Sequence, residues 1–389
     1  MNITFVLPPA NLSGGVHATA VLASHLKQRG HDVLAVCPEY SPPSLRARFD
    51  GLLKGKGWMH YAKQKPSHFD DVDVPLKVTS HPGPIVETDV PDADVIVATW
   101  WETAEWIAKF SDRKGVKTYT VRHHEVHDYL PKARTSATYS LPFHKIAVSK
   151  WLLDIMKNEY GDRYVSLVPD SVNCQKYCAP PRGKQSVPTV GMMYSPKHWK
   201  GCDISLQAFR LAARNIPNLR LKIFGQRHPA TKNVELPPNT QFIQSPPQDT
   251  IKDIYASCDM WLFGSRTEGF GLPILESMAC RTPVVGTPAG AAPELLPPGG
   301  GILVPPENPE EMARAIERMC HLSEAEWKSM SDAAYATARE YSWTDAARLC
   351  EQAFYTAIER FQRGELKQQS PNLAIPPIAK HSTLARETL

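Results

Sequence analysis

Short apolar runs alternate with helical patterns along the chain, an order that predicts parallel strands with helices on both faces of each sheet. The runs read as buried strands and lie at residues 3–7, 30–36, 94–99, 118–121, 219–224, 241–243, 260–263, 283–286 and 302–304. After the first run comes a turn with the adjacent glycines Gly14 and Gly15, and a helical pattern follows through Leu26. The glycine spacing does not fit GxGxxG, but the order of elements predicts doubly wound, Rossmann-like domains.

Composition narrows the class of protein. At 389 residues the chain exceeds one typical hydrophobic core, and a net charge of +4 without an aromatic-studded basic stretch does not favour nucleic acid as a partner. The eight cysteines include no CxxC pair, which is typical of reduced cytoplasmic thiols. The chain begins with a strand pattern instead of a basic leader and lacks a long apolar run. We therefore expect a cytoplasmic protein that is neither secreted by a signal peptide nor membrane-spanning.

The most informative segment is Glu-Gly-Phe-Gly-Leu-Pro-Ile-Leu-Glu at residues 268–276, in which two carboxylates flank a glycine-rich loop and the start of a predicted helix. Its glycines let a ligand approach the main chain, and the first amides of a helix are donors for an anion such as a diphosphate. Glu276 could accept hydrogen bonds from a ribose diol, and Glu268 could accept them from sugar hydroxyls. The candidate donor-binding residues of the loop are Gly269, Phe270, Gly271 and Leu272. For an isolated pair of glutamates, an ordinary helix residue and a solvated loop charge would be the simpler interpretation.

A longer stretch, residues 265–285, favours the nucleotide-sugar interpretation. Its sequence Ser-Arg-Thr-Glu-Gly-Phe-Gly-Leu-Pro-Ile-Leu-Glu-Ser-Met-Ala-Cys-Arg-Thr-Pro-Val-Val closely resembles the signature of family-4 retaining glycosyltransferases of the GT-B fold. Segments that resemble other parts of the same family lie at residues 146–153, 168–173, 190–201 and 308–316. The resemblance implies two Rossmann-like domains facing a central cleft, with the nucleotide-sugar donor mainly on the second domain and the acceptor mainly on the first.

The resemblance also assigns candidate residues to the donor site. Lys200 matches the family lysine that grips the donor diphosphate, whereas Met192 stands where the family has an arginine. Lys197 or Arg266 could supply this second cation. Gly225 ends a predicted strand and is expected to line the nucleotide pocket.

Residues of the first half complete the expected site. Gly14 and Gly15 match the family loop that lies under the donor phosphates, although a tight turn that only glycine fits is an alternative. The family has a histidine near the reactive carbon of the sugar, and His123 or His124 fills that position after a predicted strand. Three histidines near Glu125 could suggest zinc, but their order differs from HExxH and no distant pair of ligands is evident. We therefore expect no metal site.

A basic and apolar stretch leaves three alternatives open. Within residues 46–65, lysines and arginines are interleaved with bulky apolar side chains, a composition that favours peripheral contact with an anionic membrane. The same stretch could bind the acceptor or form a solvated helix with its own small core.

Together these patterns predict a retaining, metal-independent glycosyltransferase of the hexosyltransferase type. It would move a sugar from a UDP- or GDP-sugar to a hydroxyl of a saccharide or lipid-linked acceptor, in surface polysaccharide or glycolipid assembly. The alternatives are a noncatalytic sugar-nucleotide-binding subunit or sensor, which Met192 favours, and a GT-B sugar-nucleotide epimerase. The expected domains span residues 1–172 and 173–345, followed by a helix at 346–363 that crosses back to the first domain and a loosely ordered tail at 364–389.

Overall fold

The computed structural model describes residues 1–41, 62, 64–232 and 234–366. Most of the predicted membrane-binding stretch at residues 46–65 and most of the expected tail therefore lie outside the described residues. The chain divides into two compact units. The first unit comprises Met1–Val148, Leu152–Val168 and the chain from Ala347 on, and the second comprises Ser149–Trp151 and Pro169–Ala346. The domain limits expected from the sequence remain a proposal.

The first unit is built on a parallel sheet. Its strands are β1 (Asn2–Val6), β2 (Asp32–Cys37), β3 (Leu76–Val78), β4 (Val95–Ala98), β5 (Val116–Val121), β6 (His144–Ala147) and β7 (Ser166–Leu167). They pair in the order β3-β2-β1-β4-β5-β6-β7. All four residues of β4 are buried, as expected for a central strand that helices cover on both faces.

Helices follow most strands of this sheet. Among the residues that the structure describes, those of the first unit are α1 (Gly14–Gln28), α2 (Trp101–Ile107), α3 (Lys132–Tyr139) and α4 (Lys150–Asn158), of which Lys150 and Trp151 belong to the second unit. The last helix, α11 (Trp343–Gln362), belongs to the first unit from Ala347 onward. Among the described residues, no helix combines the length and the apolar character needed to cross a lipid bilayer.

The second unit repeats the design with a parallel sheet of six strands among the described residues. The strands are β8 (Thr189–Met193), β9 (Arg220–Gly225), β10 (Thr240–Gln244), β11 (Met260–Phe263), β12 (Val284–Gly286) and β13 (Gly301–Leu303). They pair in the order β10-β9-β8-β11-β12-β13. The helices are α5 (Cys202–Asn215), α6 (Ile251–Ala256), α7 (Leu272–Ala279), α8 (Ala292–Leu295), α9 (Pro309–His321) and α10 (Glu324–Arg339).

Both sheets have a topological switch point, where the strand order changes direction. It lies between β1 and β4 in the first unit and between β8 and β11 in the second. In open parallel sheets, ligands bind outside the carboxyl ends of the strands at such a point, because the loops there diverge and leave a crevice. The two doubly wound α/β sheets expected from the apolar runs are thus confirmed, and the search for a site narrows to the loops after these four strands.

Candidate active site

An ion pair between Lys200 and Glu268 lies at the switch point of the second unit. Lys200 Nζ donates to Glu268 Oε1 at 2.7 Å and to Oε2 at 2.9 Å, and Ser265 Oγ donates to Oε1 at 2.8 Å. Glu268 is 7% exposed, so its charge is compensated mainly by these donors. The sequence placed both residues in the donor site, and the fold brings them together across 68 positions of the chain.

Lys200 and Glu268 lie in loops at the carboxyl ends of neighbouring strands. Lys200 follows β8, and Glu268 follows β11. After β8 the chain forms a short 3₁₀ turn, His198–Lys200, and after β11 it continues through Ser265 to Glu268. The two loops border a small pocket lined by Lys200, Glu268 and Pro273 together with Met193. A cation, a carboxylate and a helix start therefore face one pocket.

Hydrogen bonds from outside the loop fix the orientation of its peptide groups. The carbonyl oxygen of Gly269 accepts from Ser149 Oγ at 2.7 Å and from Trp151 Nε1 at 3.0 Å. Because a trans peptide is planar, the N–H of Phe270 must point away from these two donors. The sequence analysis assigned no role to Ser149 and Trp151. Both residues belong to the second unit, and their hydrogen bonds to Gly269 show that they orient the loop.

Gly290 is a further residue that the sequence analysis missed. It has φ = +60°, and a Cβ added there would lie 2.4 Å from the carbonyl oxygen of Phe270 and 2.9 Å from Glu268 Cβ. The neighbouring Ala291 N–H donates to the same carbonyl oxygen at 2.8 Å. Glycine is needed here because it lets the loop after β12 pack directly on the loop that carries Glu268.

The predicted helix start after the glycine loop is present as the beginning of α7. Gly271 is the N-cap with φ = +98°, and Pro273 occupies the first turn. The first backbone N–H groups of a helix have no acceptor within the helix. The N–H of Leu272 can therefore donate to a group that lies in front of the first turn of α7. Pro273 has no N–H, which limits the number of donors that the first turn can offer.

Glu276, one turn into α7, accepts a hydrogen bond from a tyrosine. The hydroxyl of Tyr255 donates to Glu276 Oε2 at 2.8 Å, and the Tyr177 ring packs edge-on against the Tyr255 ring, with centroids 6.3 Å apart. Burial raises the pKa of Glu276, while both tyrosine hydroxyls and Lys176 act in the opposite direction. The carboxylate is thus oriented within the second unit, although the sequence did not suggest Tyr255 as its partner.

The two candidates for the second cation have different surroundings. Burial lowers the pKa of Lys197, the positive charge of Lys200 lowers it further, and Glu268 opposes this change, so the field of the ion pair reaches Lys197. Arg266 instead donates to both carboxylate oxygens of Asp203, at 2.8 and 2.7 Å, and pairs with Glu307. Its pKa is raised by Asp203. Met192 is 1% exposed and packs in the apolar core, and it also lines the pocket that contains Lys200 and Glu268.

The remaining predicted donor-site glycines are Gly225, at the end of β9, and Gly14 and Gly15, at the start of α1. Gly225 ends β9, and a Cβ there would lie 2.6 Å from the carbonyl oxygen of Tyr194. Gly14 and Gly15 open α1 in the first unit. A Cβ on Gly14 would meet nothing within 4 Å, and one on Gly15 would meet only Arg122 Cδ, at 3.8 Å. The space above the α1 start is therefore open within this unit.

The two candidate histidines follow β5 in the first unit. His123 Nδ1 donates to the carbonyl oxygen of His124 at 3.1 Å, and His124 Nε2 forms a hydrogen bond with the hydroxyl of Tyr160 at 2.9 Å. Burial lowers the pKa of His124. Glu125 is buried and accepts from the Trp101 N–H at 3.2 Å, and burial raises its pKa far above the usual range. Within the part of the chain that the structure describes, no three His, Cys, Asp or Glu side chains are grouped to hold a metal ion.

Solved structures match the fold of this protein over nearly the whole chain. Anabaena HepE in complex with UDP and glucose has a TM-score of 0.67 and 18% identity, covering 92% of this chain and 100% of its own. Sucrose-phosphate synthase from Thermosynechococcus elongatus has a TM-score of 0.68 and 15% identity, with 92% and 99% covered. The chain has the GT-B fold that the sequence predicted.

The second unit resembles a known family. Residues 182–337 match the model of the family "Glycosyl transferases group 1". A phosphatidylinositol N-acetylglucosaminyltransferase subunit of Arabidopsis thaliana is 23% identical over 55% of this chain and 49% of its own length. A D-inositol 3-phosphate glycosyltransferase of Streptomyces bingchenggensis is 31% identical over 30% of this chain and 26% of its own. The chain thus spans about a quarter to a half of these curated relatives.

Proposed function

We propose that this protein transfers a sugar from a nucleoside diphosphate sugar to a hydroxyl acceptor with retention of the anomeric configuration. The observation that carries the proposal is the Lys200–Glu268 pair beside the start of α7. A cation and helix amides suit a diphosphate, and a carboxylate suits sugar hydroxyls. The UDP and glucose held by Anabaena HepE, which has the same fold, support this choice of ligand.

In the proposed reaction the bond between the sugar C1 and the diphosphate oxygen breaks. Lys200, Lys197 and the α7 amides stabilise the negative charge that develops on the leaving diphosphate. The acceptor oxygen forms the new bond to C1 on the same face, and its proton passes to the departing phosphate oxygen. Glu268 accepts from donor-sugar hydroxyls, and His123 or His124 orients the sugar or the acceptor. These protein groups supply the positive charge, so we propose that transfer needs no metal ion.

The biological setting is the broader part of the proposal. Saccharide or lipid-linked acceptors in surface polysaccharide or glycolipid assembly fit the relatives, whose names include a phosphatidylinositol and an inositol phosphate glycosyltransferase. We also propose a cytoplasmic location, with peripheral membrane contact as an alternative that this setting allows. The eight cysteine thiols are free, which agrees with a reducing compartment.

A noncatalytic sugar-nucleotide-binding subunit is the second candidate function. Met192 favours it, because this side chain is buried in the core at the position where the family has an arginine. The position of Lys197 argues against a noncatalytic subunit, because the charges of Lys200 and Glu268 both act on the pKa of this lysine. We therefore propose that Lys197 supplies the cation that position 192 lacks.

The test is turnover of UDP- and GDP-sugars with a panel of saccharide and lipid-linked acceptors. We expect the wild type to release nucleoside diphosphate only when acceptor is present, with an anomeric NMR signal that shows retention. Glu268→Gln should lose transfer, whereas Lys328→Ala, an exposed lysine on α10, should retain it. Donor binding without transfer over the whole panel would favour the noncatalytic subunit, and release of an epimerised nucleotide sugar would favour an epimerase.

A further inference from the structure

Arg266 joins its own loop to three other segments of the second unit. Its Nη1 atom donates to the carbonyl oxygen of His198 at 2.7 Å and to Asp203 Oδ1 at 2.8 Å. Its Nη2 atom donates to Asp203 Oδ2 at 2.7 Å and to Glu307 Oε2 at 3.0 Å, and its Nε atom lies 2.6 Å from Glu307 Oε1. A guanidinium has five N–H groups, and these five contacts account for them. The side chain is therefore engaged by the protein itself.

The partners of Arg266 lie at separate places in the fold. His198 begins the 3₁₀ turn that ends at Lys200. Asp203 lies in the first turn of α5, and Glu307 lies in the loop between β13 and α9. Glu307 has φ = +53°, a backbone conformation that is unfavourable for a residue with a Cβ, and its contacts with Arg266 help to hold it there. Isolated surface ion pairs are weak, but a bidentate pair within a network keeps a defined geometry.

Arg266 also holds the turn through its main chain. Its N–H donates to the carbonyl oxygen of Trp199 at 2.8 Å, next to the His198 carbonyl that its side chain binds. One residue thus binds two consecutive carbonyl groups of the turn that carries Lys200. Because Arg266 lies two positions before Glu268, it joins the loop of Glu268 to the turn of Lys200.

The Lys200–Glu268 ion pair joins the same two loops, but a ligand competes for it. An ammonium has three N–H donors, and Lys200 donates to both oxygens of Glu268, at 2.7 and 2.9 Å. A diphosphate that binds Lys200, and sugar hydroxyls that bind Glu268, take over part of these hydrogen bonds. The hold of the ion pair on the two loops therefore weakens when a nucleotide sugar binds, whereas the contacts of Arg266 stay in place.

We propose that Arg266 is a positioning residue, which keeps the Lys200 turn and the Glu268 loop together when a nucleotide sugar replaces the ion pair between them. The inference rests on the proposed function, since it assumes that a nucleoside diphosphate sugar binds at this pair. Arg266 then acts on the transition state through Lys200 and not through its own contact with the phosphates. A displacement of a catalytic group by about 1 Å can cost about 100-fold in rate. The effect of Arg266 should therefore appear in kcat more than in the affinity for a nucleoside diphosphate.

The experiment compares Arg266→Ala and Arg266→Lys with the wild type, in turnover of UDP- and GDP-sugars over the acceptor panel and in calorimetric binding of UDP and GDP. We expect kcat to fall about 10- to 100-fold in both variants, with the affinity for UDP or GDP changed less than about twofold. Lysine keeps the charge but lacks the planar fork, so it cannot replace five directed N–H groups. Arg281→Ala is the matched control, because this arginine is 12% exposed, compared with 17% for Arg266, and pairs with Asp332. It should lose melting temperature without the loss of kcat.

A double-mutant cycle tests the shared role of Arg266 and the ion pair without any ligand. Thermal unfolding is measured for Arg266→Ala, for Lys200→Ala and for the double variant. Since both interactions join the same two loops, the loss of melting temperature caused by Arg266→Ala should be about twofold larger in the Lys200→Ala background than in the wild type.

The outcomes separate the inference from the function on which it rests. Additive losses in the cycle, or a loss of kcat in Arg281→Ala as large as in Arg266→Ala, would overturn the inference while nucleotide binding remains intact. Weaker binding of UDP or GDP in Arg266→Ala that Arg266→Lys restores would make Arg266 a direct phosphate ligand and would also overturn it. A wild type that binds neither nucleotide, or binds one without turnover, would remove the proposed transfer reaction and the role of Arg266 in it together.

Discussion

The second unit carries an ion pair at its switch point, whereas the candidate residues at the corresponding edge of the first unit are glycines and imidazoles. Lys200 and Glu268 are joined at 2.7 Å, while His123 and His124 bond to a carbonyl oxygen and a tyrosine hydroxyl. In the first unit the neighbouring carboxyl, Glu125, is buried with a raised pKa. Two sheets of the same type therefore support different chemistry, because the loops and not the strands supply the side chains. The charged edge suits a diphosphate, and the less charged edge suits a hydroxyl acceptor.

The largest expected effect comes from removal of the cation in the charged edge. Lys200→Ala should reduce transfer by about 100- to 1,000-fold, because it removes positive charge from the leaving diphosphate and leaves the buried Glu268 carboxylate with fewer donors. Steady-state kinetics measure the effect, and Lys328→Ala is the control on an exposed helix position. A loss in Lys200→Ala no larger than in Lys328→Ala would remove the ion pair from the mechanism.

The stability of the first unit should depend on pH through His144, a residue outside the candidate site. His144 is fully buried, its Nδ1 accepts from Arg360 at 3.0 Å, and burial lowers its pKa from 6.5 to about 4. The unfolded chain binds the proton more readily, so stability is retained above pH 6.5 and is lost as the pH falls toward 4. The loss attributable to His144 could reach about 3 kcal/mol.

Urea unfolding between pH 7 and pH 4.5 measures this contribution. His144→Gln should show a shallower loss of unfolding free energy than the wild type, and His321→Gln, an exposed histidine at the end of α9, should match the wild type. Identical pH dependence in His144→Gln and the wild type would contradict the assignment.

A smaller effect should follow from the glycine that packs the two loops of the second unit. Gly290→Ala places a methyl group against the carbonyl of Phe270 and the side chain of Glu268, and the resulting displacement should lower kcat/KM about tenfold. Gly299→Ala is the control, because Gly299 also has a positive φ, +102°, but its nearest neighbour is Ala333 Cβ at 3.4 Å. Both variants should lose melting temperature through backbone strain, and only Gly290→Ala should lose activity beyond that. Equal activity in the two variants would show that the loop contact does not position Glu268.

The smallest predicted effect decides between the candidates for the second cation. Lys197→Ala should weaken binding of UDP or GDP about fivefold and leave binding of the uncharged nucleoside unchanged, since Lys197 lies in the field of Lys200. Arg266→Ala should change this affinity less than about twofold, because its guanidinium is engaged by Asp203 and Glu307. Calorimetry of both variants distinguishes the two, and the reverse ranking would assign the role to Arg266.

The elements that the sequence predicted best are those in which local pattern and tertiary environment agree. The run at residues 260–263 is the strand Met260–Phe263, and all four of its apolar residues are buried, as in a strand covered on both faces. In the family-like segment 308–316, Asn308 caps α9, and its side chain accepts from the Glu311 N–H at 2.9 Å. The short edge strand Leu76–Val78 was not predicted, since none of its three residues is fully buried and its pattern is correspondingly weak.

The candidate site was predictable only where its residues lie at strand ends. Lys200 follows β8 and Glu268 follows β11, and these neighbouring strands bring the two residues to one edge of the sheet. Trp151, Tyr255 and Gly290 act through contacts with residues 118, 21 and 20 positions away, and their local sequence carries no mark of those partners. Such contacts depend on how the segments pack in the folded unit, which periodicity does not encode.

The most direct test of the central claim is thermal unfolding of the wild type, Lys200→Ala and Glu276→Ala with UDP-, GDP-, ADP- and TDP-sugars. A nucleotide sugar at a hundredfold excess over its Kd should stabilise the wild type by about 2.7 kcal/mol. We predict stabilisation of the wild type by one class of nucleotide, with most of the shift lost in both variants. An absence of any shift in the wild type, or a shift that persists in Lys200→Ala and Glu276→Ala alike, would contradict a donor site in the second unit.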